Sequence, residues 1–238
     1  MRRVREGCSI AVGTAQDQNR SVAEDVSTLI EQERGALADF VETLTRDQWL
    51  TPSLCSEWTV QEVASHVSFA PTVRMGTILK ALAQDGFRAN RTSARLSREW
   101  AAQRGPEAIV AGLRDPDSIN NPTPGTRLAD VLADTITHHL DVRVPLDQER
   151  PAPVVATGIA LTAYTRLGFP LSLAFGRNPK ATAKGLRLVA EDSGWSHGDG
   201  PAVTASSSAL LRALTGRPVR RSELSGAGAD LLFGRLDR

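Results

Sequence analysis

The sequence predicts a mainly α-helical protein, in which an N-terminal four-helix bundle is followed by a small α+β domain. Three observations support this fold class. Apolar residues recur at helical spacing in four segments of residues 21–145. Turns containing Pro, Ser and Gly separate these segments. Beyond Pro145 the pattern changes to a Pro-rich joint, one apolar helix and short alternating runs that are typical of strands.

The N-terminal residues 1–20 lack helical periodicity and are predicted to form a mobile tail. The first helix is predicted to begin at Ser21, because its hydroxyl can cap the chain while Glu24 reaches back from the third position. The apolar positions of this helix continue to Leu44. Residues 47–58 contain two tryptophans, so we expect an ordered loop held by aromatic burial.

The second helix is predicted to begin after Thr59, which opens a capping box with Glu62. Pro71 should interrupt this helix before the apolar pattern resumes, because proline removes a backbone donor. A third helical region is predicted at about 92–113, with a break at Gly105. These segments supply the second and third helices of the predicted bundle.

A loop is predicted at 115–125, and the fourth helix follows it with Thr126 as its N-cap and an end before Pro145. The remaining chain is predicted to form an α+β unit with a helix at 154–168, strands at 185–190 and 202–205, a turn at 195–200 and a helix at 207–215. The sequence therefore divides into a tail at 1–20, a bundle at 21–145 and a C-terminal domain at 146–238.

Composition limits the classes of partner. Lys and Arg number 28 and Asp and Glu number 27, so the net charge of +1 gives no reason to expect nucleic acid or an anionic membrane. We expect a small-molecule ligand and a monomer or homodimer. Cys8 and Cys55 do not form a disulfide or metal-binding pattern, and we interpret both as thiols in a reducing compartment. No apolar run resembles a signal core or a membrane span, which predicts a cytoplasmic protein.

Asp134 and His138 lie four residues apart on the fourth predicted helix, so both side chains project from one face. His66, beside the apolar face of the second helix, could complete a set of three ligands. Two imidazoles and one carboxylate suit Zn, Fe, Ni or Mn, of which we expect zinc, and leave a coordination position open. Asp141 could accept the second N–H of His138, and Asp130 is a weaker candidate for that role.

A structural interpretation of the same residues stays open at this point. An Asp and a His at this spacing are often a surface pair, and a single His near an apolar face is often only packed. Helix geometry turns His139 away from His138, so we expect it to be exposed, and His197 falls in a predicted turn. Cys55 could be a nucleophile, but its local sequence contains no partner and favours a buried structural cysteine.

Three blocks of the sequence carry a resemblance to a known family: Trp49–Val67, Asp134–Leu146, and Ala213–Pro218 with Glu223–Gly226. Together they resemble the mycothiol-dependent maleylpyruvate isomerase family, a branch of the DinB-like metal-binding bundles. The similarity extends over about residues 20–238. Asp134 departs from the pattern of the family, which typically has Glu as the acidic ligand, so it weakens the inference to metal affinity and activity.

The resemblance implies a DinB-like bundle with metal ligands His66, Asp134 and His138, and mycothiol as a thiol cofactor. The implied reaction is a cis–trans isomerisation or the transfer of the thiol to a small electrophilic substrate. Arg143 is the preferred candidate for a catalytic contact to an acidic substrate, ahead of Arg212 and Arg217. The alternatives are a metal- or thiol-binding module without turnover, and a bundle without metal.

Overall fold

The computed structural model describes residues 15–55, 57–120, 126–151, 153–167 and 178–236. For residues 15–24, 71, 119 and 120 it describes the backbone alone. Cys8 and most of the predicted tail lie outside the described residues. The described part is mainly helical with one small sheet, and the predicted fold class is confirmed.

The N-terminal half of the described structure is helical. Its helices are α1 (Ala15–Glu42), α2 (Arg46–Trp49), α3 (Val60–Phe69), α4 (Met75–Gln84), α5 (Ala89–Leu113), α6 (Pro116–Asn120) and α7 (Leu128–Arg143). Helices α1, α3, α5 and α7 form the bundle, in which α3 packs most extensively on α5, and α1 contacts both α5 and α7.

The N-terminal end of α1 corrects the predicted tail. Helix α1 begins at Ala15, six positions before the expected start at Ser21. Residues 15–20 contain neither Gly nor Pro. A helix that is already fixed by packing extends through such residues at little cost, because propagation is far easier than nucleation.

The breaks predicted in the second and third helices are present. Thr59 caps α3 in a capping box with Glu62, as predicted. A 3-10 turn at Ala70–Thr72 contains Pro71 and separates α3 from α4. Within α5, Gly105 has a φ of 67°, a left-handed conformation that glycine adopts without steric cost, and it kinks the helix. Helix α3 donates hydrogen bonds to α5 on both sides of this kink.

The start of α7 and the segment before it differ from the prediction. Arg127, not Thr126, is the N-cap of α7, and the Asp130 carboxylate accepts its backbone N–H at 3.1 Å. Residues 116–120 form helix α6 although a loop was predicted, because Asp115 accepts the N–H of Asp117 and starts a helical turn. Residues 121–125 of that predicted loop lie outside the described residues.

The C-terminal part combines short helices with a small sheet. Strand β1 pairs antiparallel with β2 and parallel with β3, so β1 is central. Strand β2 lies within the predicted turn at 195–200 and corrects it. The elements are α8 (Val154–Arg166), α9 (Pro179–Ala183), β1 (Arg187–Ala190), β2 (Ser196–His197), β3 (Ala202–Ala205), α10 (Ser207–Leu214) and α11 (Ala229–Leu236).

Two apolar clusters make up the described core. One contains Leu37, Val63 and Ile109 and lies between α1, α3 and α5. The other joins α7 to the C-terminal elements, for example through Ile136 and Leu161. This second cluster contains residues from both sides of the predicted domain boundary at 145/146, and the boundary stays a prediction. None of the described helices is long and apolar enough to cross a membrane.

Candidate metal centre

The structure brings the three predicted ligands together between α3 and α7. His66 Nε2 lies 3.7 Å from Asp134 Oδ2, and His138 Nε2 lies 3.4 Å from Asp134 Oδ1. The three potential ligand atoms all lie within 4.8 Å of one another. Each imidazole therefore presents the same ring nitrogen to a different oxygen of one carboxylate.

Local structure explains this convergence. Asp134 and His138 are one turn apart on α7, so their side chains share a face. The capping box at Thr59 fixes where α3 begins and therefore which face carries His66. Trp58, just before α3, places its ring centroid 5.2 Å from that of His66 and 5.9 Å from that of His138. The indole covers both histidines, while the Asp134 side chain remains about one-third exposed.

The second nitrogen of each imidazole has its own partner. His138 Nδ1 lies 2.8 Å from Asp141 Oδ2, so the contact predicted between these two residues is present. His66 Nδ1 lies 3.4 Å from Ser97 Oγ on α5. Because both Nδ1 atoms are occupied in this way, both Nε2 atoms are directed toward Asp134.

The electrostatics of the cluster favour a positive charge between its ligands. Burial alone would raise the pKa of Asp134. The charge of His138 and hydrogen bonds from His138 and His66 have a larger, opposite effect, so the pKa lies well below the ordinary value. Burial lowers the pKa of His138, but Asp134, Asp141 and Cys55 raise it well above the ordinary value. Without an ion, a proton on His138 supplies that charge.

A second group of possible ligands shares His138 and contains Cys55 and Asp141. Arg217 already occupies this group. Its Nε and one terminal nitrogen donate to the two Asp141 oxygens at 3.0 and 2.7 Å, and the same terminal nitrogen lies 3.1 Å from Cys55 Sγ. A cation would have to displace a buried guanidinium, so like-charge repulsion favours the group around Asp134.

The Arg217 contact also sets the charge of Asp141. Burial raises the pKa of Asp141, but Arg217 and His138 lower it by more, so the net pKa lies well below the ordinary value. The ionised carboxylate accepts a hydrogen bond from the Cys55 thiol at 3.3 Å. Asp141 accepts hydrogen bonds but donates none in this state, so it selects the His138 tautomer with the proton on Nδ1.

The donor set fits a divalent cation. Two imidazole nitrogens and one carboxylate oxygen are the ligands of many open zinc sites, and the partner of each Nδ1 leaves Nε2 free to coordinate. The Asp134 carboxylate also places a negative charge between the two imidazoles, which favours a cation at this position. His66, Asp134 and His138 are therefore the described residues best suited to hold an ion.

The structure does not bring the preferred arginine candidate to this cluster. The Arg143 guanidinium carbon lies 3.9 Å from the centroid of the Phe40 ring, and its Nε donates to His139 Nε2 at 2.8 Å. Arg212 pairs with Glu223. Of the three arginines considered from the sequence, Arg217 is the one that contacts Asp141, the hydrogen-bond partner of His138.

Other residues weighed in the sequence also have defined places. His139 is buried, which corrects the expected exposure, because Glu33 on α1 lies 3.2 Å from its Nδ1. Asp130 binds Arg127 at the start of α7 and not His138. His197 lies on strand β2 and stacks on Trp195. Cys55 is half-buried and free, and its partner Asp141 lies 86 positions away, outside its local sequence.

Sequence reasoning missed three contributors to the cluster: Trp58, Ser97 and the thiol of Cys55. Cys55 and Trp58 lie in the same motif as His66, so the motif itself was an available signal. Ser97 carries no such signal, because its role depends on how α5 packs on α3.

The comparison with solved structures concerns the fold alone. Two solved structures, described as the mycothiol-dependent maleylpyruvate isomerase and a histidine-to-alanine mutant of it, are 13% identical to the chain. Each covers 87% of this chain and 93% of its own, with TM-scores of 0.49 and 0.50. The structure with the TM-score of 0.50 supports a shared fold. No curated protein matches the chain in sequence.

A family model identifies the N-terminal part more directly. Residues 30–118 match the mycothiol maleylpyruvate isomerase N-terminal domain. This range includes His66, whereas Asp134 and His138 lie beyond it and are assigned from the geometry of the cluster. The match confirms the sequence resemblance for this part of the chain: residues 30–118 resemble the N-terminal domain of the mycothiol maleylpyruvate isomerase family.

Proposed function

We propose that the chain is a metal-dependent enzyme of the mycothiol-dependent maleylpyruvate isomerase type, with His66, Asp134 and His138 as ligands of one divalent ion, preferably zinc. The observation that carries the proposal is the convergence of three ligand atoms within 4.8 Å, with both imidazoles directing Nε2 toward one carboxylate. The family match supports mycothiol as the thiol cofactor.

The chemistry of the bound groups defines the reaction class. A divalent ion lowers the pKa of a thiol that binds it, so the pair would supply a thiolate nucleophile near neutral pH. Such a nucleophile serves cis–trans isomerisation of an activated double bond and also thiol transfer to an electrophile. The free thiol of Cys55 suits the reducing cytoplasm, where we place this activity.

The residues of the chain have separate tasks in this proposal. One carboxylate and two neutral imidazoles leave a divalent ion with a net positive charge, which a thiolate would partly neutralise. Asp141 orients His138, and Arg217 compensates the buried charge of Asp141. Trp58 shields the two imidazoles from solvent, and the exposed edge of Asp134 is the side from which small molecules reach the cluster.

Elemental analysis of the purified protein tests the metal site. We expect about one equivalent of metal in wild type and a loss in His66→Ala, Asp134→Ala and His138→Ala. Two matched controls should keep the metal: His197→Ala, which removes a histidine on β2, and Asp130→Asn, which changes a carboxylate one turn before Asp134. Metal-free wild type, or metal retained in His138→Ala, would refute the site.

Titration with mycothiol tests the cofactor. We expect Co²⁺-loaded wild type to develop a sulfur-to-cobalt absorption band that His138→Ala lacks. Consumption of maleylpyruvate, or of a thiol together with an electrophile, would then identify the reaction. Thiol binding without any turnover would favour a binding module, an alternative to which Asp134 lends support because it is shorter than the typical Glu.

A further inference from the structure

Ser97 brings a third helix to the candidate metal centre. It lies on α5, which supplies none of the three proposed ligands, and its side chain is fully buried. Its Oγ lies 3.4 Å from His66 Nδ1. The hydroxyl therefore contacts the nitrogen on the far side of the ring from Asp134.

The two imidazoles differ in the kind of partner at Nδ1. The Asp141 carboxylate only accepts hydrogen bonds and requires a proton on Nδ1 of His138. The Ser97 hydroxyl both donates and accepts, so it can bind Nδ1 of His66 whether or not this nitrogen carries the proton. Asp141 thus requires a donor at His138 Nδ1, whereas Ser97 can pair with His66 Nδ1 as either donor or acceptor.

This difference matters where His66 faces Asp134. Nε2 of His66 lies 3.7 Å from the Asp134 carboxylate, on the side of the ring opposite Ser97. To coordinate an ion, Nε2 must present its lone pair, and the neutral ring then carries its proton on Nδ1. A hydroxyl at Nδ1 can accept that proton in a hydrogen bond and keep the ring in place.

We propose that Ser97 is a positioning residue that holds the His66 ring, through Nδ1, with Nε2 toward Asp134 in both the metal-free and the metal-bound protein. This inference rests on the proposed function, since it concerns one ligand of the proposed ion. Trp58 restrains the same ring by contact, with the two ring planes tilted by 56°. Ser97 adds the hydrogen bond that an apolar contact cannot supply.

Ser65 offers a matched control. It lies on α3 next to His66, it is fully buried like Ser97, and within the described structure its hydroxyl has no hydrogen-bond partner. Removal of either hydroxyl changes the packing by one oxygen atom. Only Ser97→Ala removes a contact to the imidazole, so a purely structural effect of serine removal should appear in both variants.

The first experiment measures Co²⁺ affinity and the visible absorption of bound Co²⁺. Loss of an outer hydrogen bond to a metal-binding histidine typically costs 10–100-fold in affinity. We expect Ser97→Ala to bind Co²⁺ about tenfold more weakly with a shifted spectrum. Ser65→Ala should match wild type, and Ser97→Thr should recover most of the affinity because it keeps the hydroxyl.

The second experiment does not depend on metal. The ¹⁵N signal of His66 Nδ1 in metal-free, isotope-labelled protein should move in Ser97→Ala and stay in place in Ser65→Ala. Far-UV circular dichroism establishes that each variant is folded.

The outcomes separate this inference from the proposed function. A Ser97→Ala protein with wild-type affinity and spectrum, or with an unchanged Nδ1 signal, would overturn the role of Ser97 while the metal site stands. If wild type binds no ion, the proposed function fails, and the Nδ1 signal still decides whether Ser97 holds the ring.

Discussion

Arg217 donates two hydrogen bonds to Asp141, which lies 76 positions earlier in the chain, and both side chains are buried. The pair fixes the carboxylate that orients His138. It also joins the segment after α10 to the end of α7.

We expect Arg217→Met to lower the free energy of unfolding by about 3–5 kcal/mol, because it leaves a buried carboxylate without its charge partner. The double variant with Asp141→Asn should recover part of this loss. Urea unfolding measures both. Arg220→Met, which removes an exposed arginine nearby, is the control and should change stability by less than about 1 kcal/mol. Equal effects of the two single arginine changes would contradict the assignment.

A second buried arginine determines how the bundle helices meet. Arg34 on α1 is almost fully buried, and burial lowers its pKa to about 10, so it remains charged at neutral pH. It donates to four backbone carbonyl oxygens and one hydroxyl. These acceptors are Val67, Ser68, Gly112 and Leu113, with Ser118 as the hydroxyl.

Arg34→Met should destabilise the protein by about 3 kcal/mol or more, because several buried carbonyl groups lose their donor at once. Arg34→Lys keeps the charge but not the forked geometry, so we expect an intermediate loss. Thermal and urea unfolding provide the measurement, with exposed Arg46→Met as the control. If Arg34→Met unfolds like the control, the arginine does not hold these helix ends together.

The decrease in the free energy of unfolding at acidic pH should depend on Glu33. Burial alone would raise the pKa of Glu33. Hydrogen bonds from His139 and Arg150 have a larger, opposite effect, so the pKa lies below the ordinary 4.5. The folded protein thus binds this proton more weakly than the unfolded chain. The resulting stabilisation is present above about pH 4.5 and is lost as pH falls through the lower folded pKa.

Glu33→Gln removes this linkage, so its free energy of unfolding should fall less steeply than that of wild type between about pH 5 and pH 2. Urea titrations across that range test the slope. Glu31→Gln, two residues earlier and exposed, should keep the wild-type slope. A wild-type slope in Glu33→Gln would show that this carboxyl does not contribute to acid unfolding.

Trp58 should report on occupancy of the candidate metal centre. Its ring centroid lies within 6 Å of both histidine rings, so a bound paramagnetic Co²⁺ ion should quench its fluorescence. We expect Trp58→Phe to lose most of the Co²⁺-dependent quenching. Trp195→Phe, which removes a tryptophan of the C-terminal part, is the control and should retain it. Quenching that persists in Trp58→Phe would place the ion elsewhere.

The sequence was sufficient for features that depend on nearby residues. The capping box at Thr59, the break at Gly105 and the spacing of Asp134 and His138 are local, and the structure contains each of them. The candidate ligands converge because the pattern around His66 and the pair Asp134 and His138 lie on two helices, α3 and α7, that face each other. The resemblance, not the spacing, indicated that these two helices would face each other.

Contacts between distant segments were not predictable in the same way. His139 was expected to be exposed because its own helix turns it away from His138, but α1 and Arg150 cover that face. Arg143 was preferred over Arg217 because it is close to Asp141 in sequence. In the structure the last turn of α7 directs Arg143 toward Phe40, whereas Arg217 reaches Asp141 from far along the chain.

The arrangement of Cys55, Asp141 and Arg217 has a consequence for the order of folding. These contacts join residues 86 and 76 positions apart, and contacts of such high sequence separation require large loops to close. During synthesis Cys55 and Asp141 leave the ribosome well before Arg217 does. We therefore expect the Asp141 carboxylate to stay hydrated in the nascent bundle until the later segment docks, so that His138 reaches its final orientation late in folding.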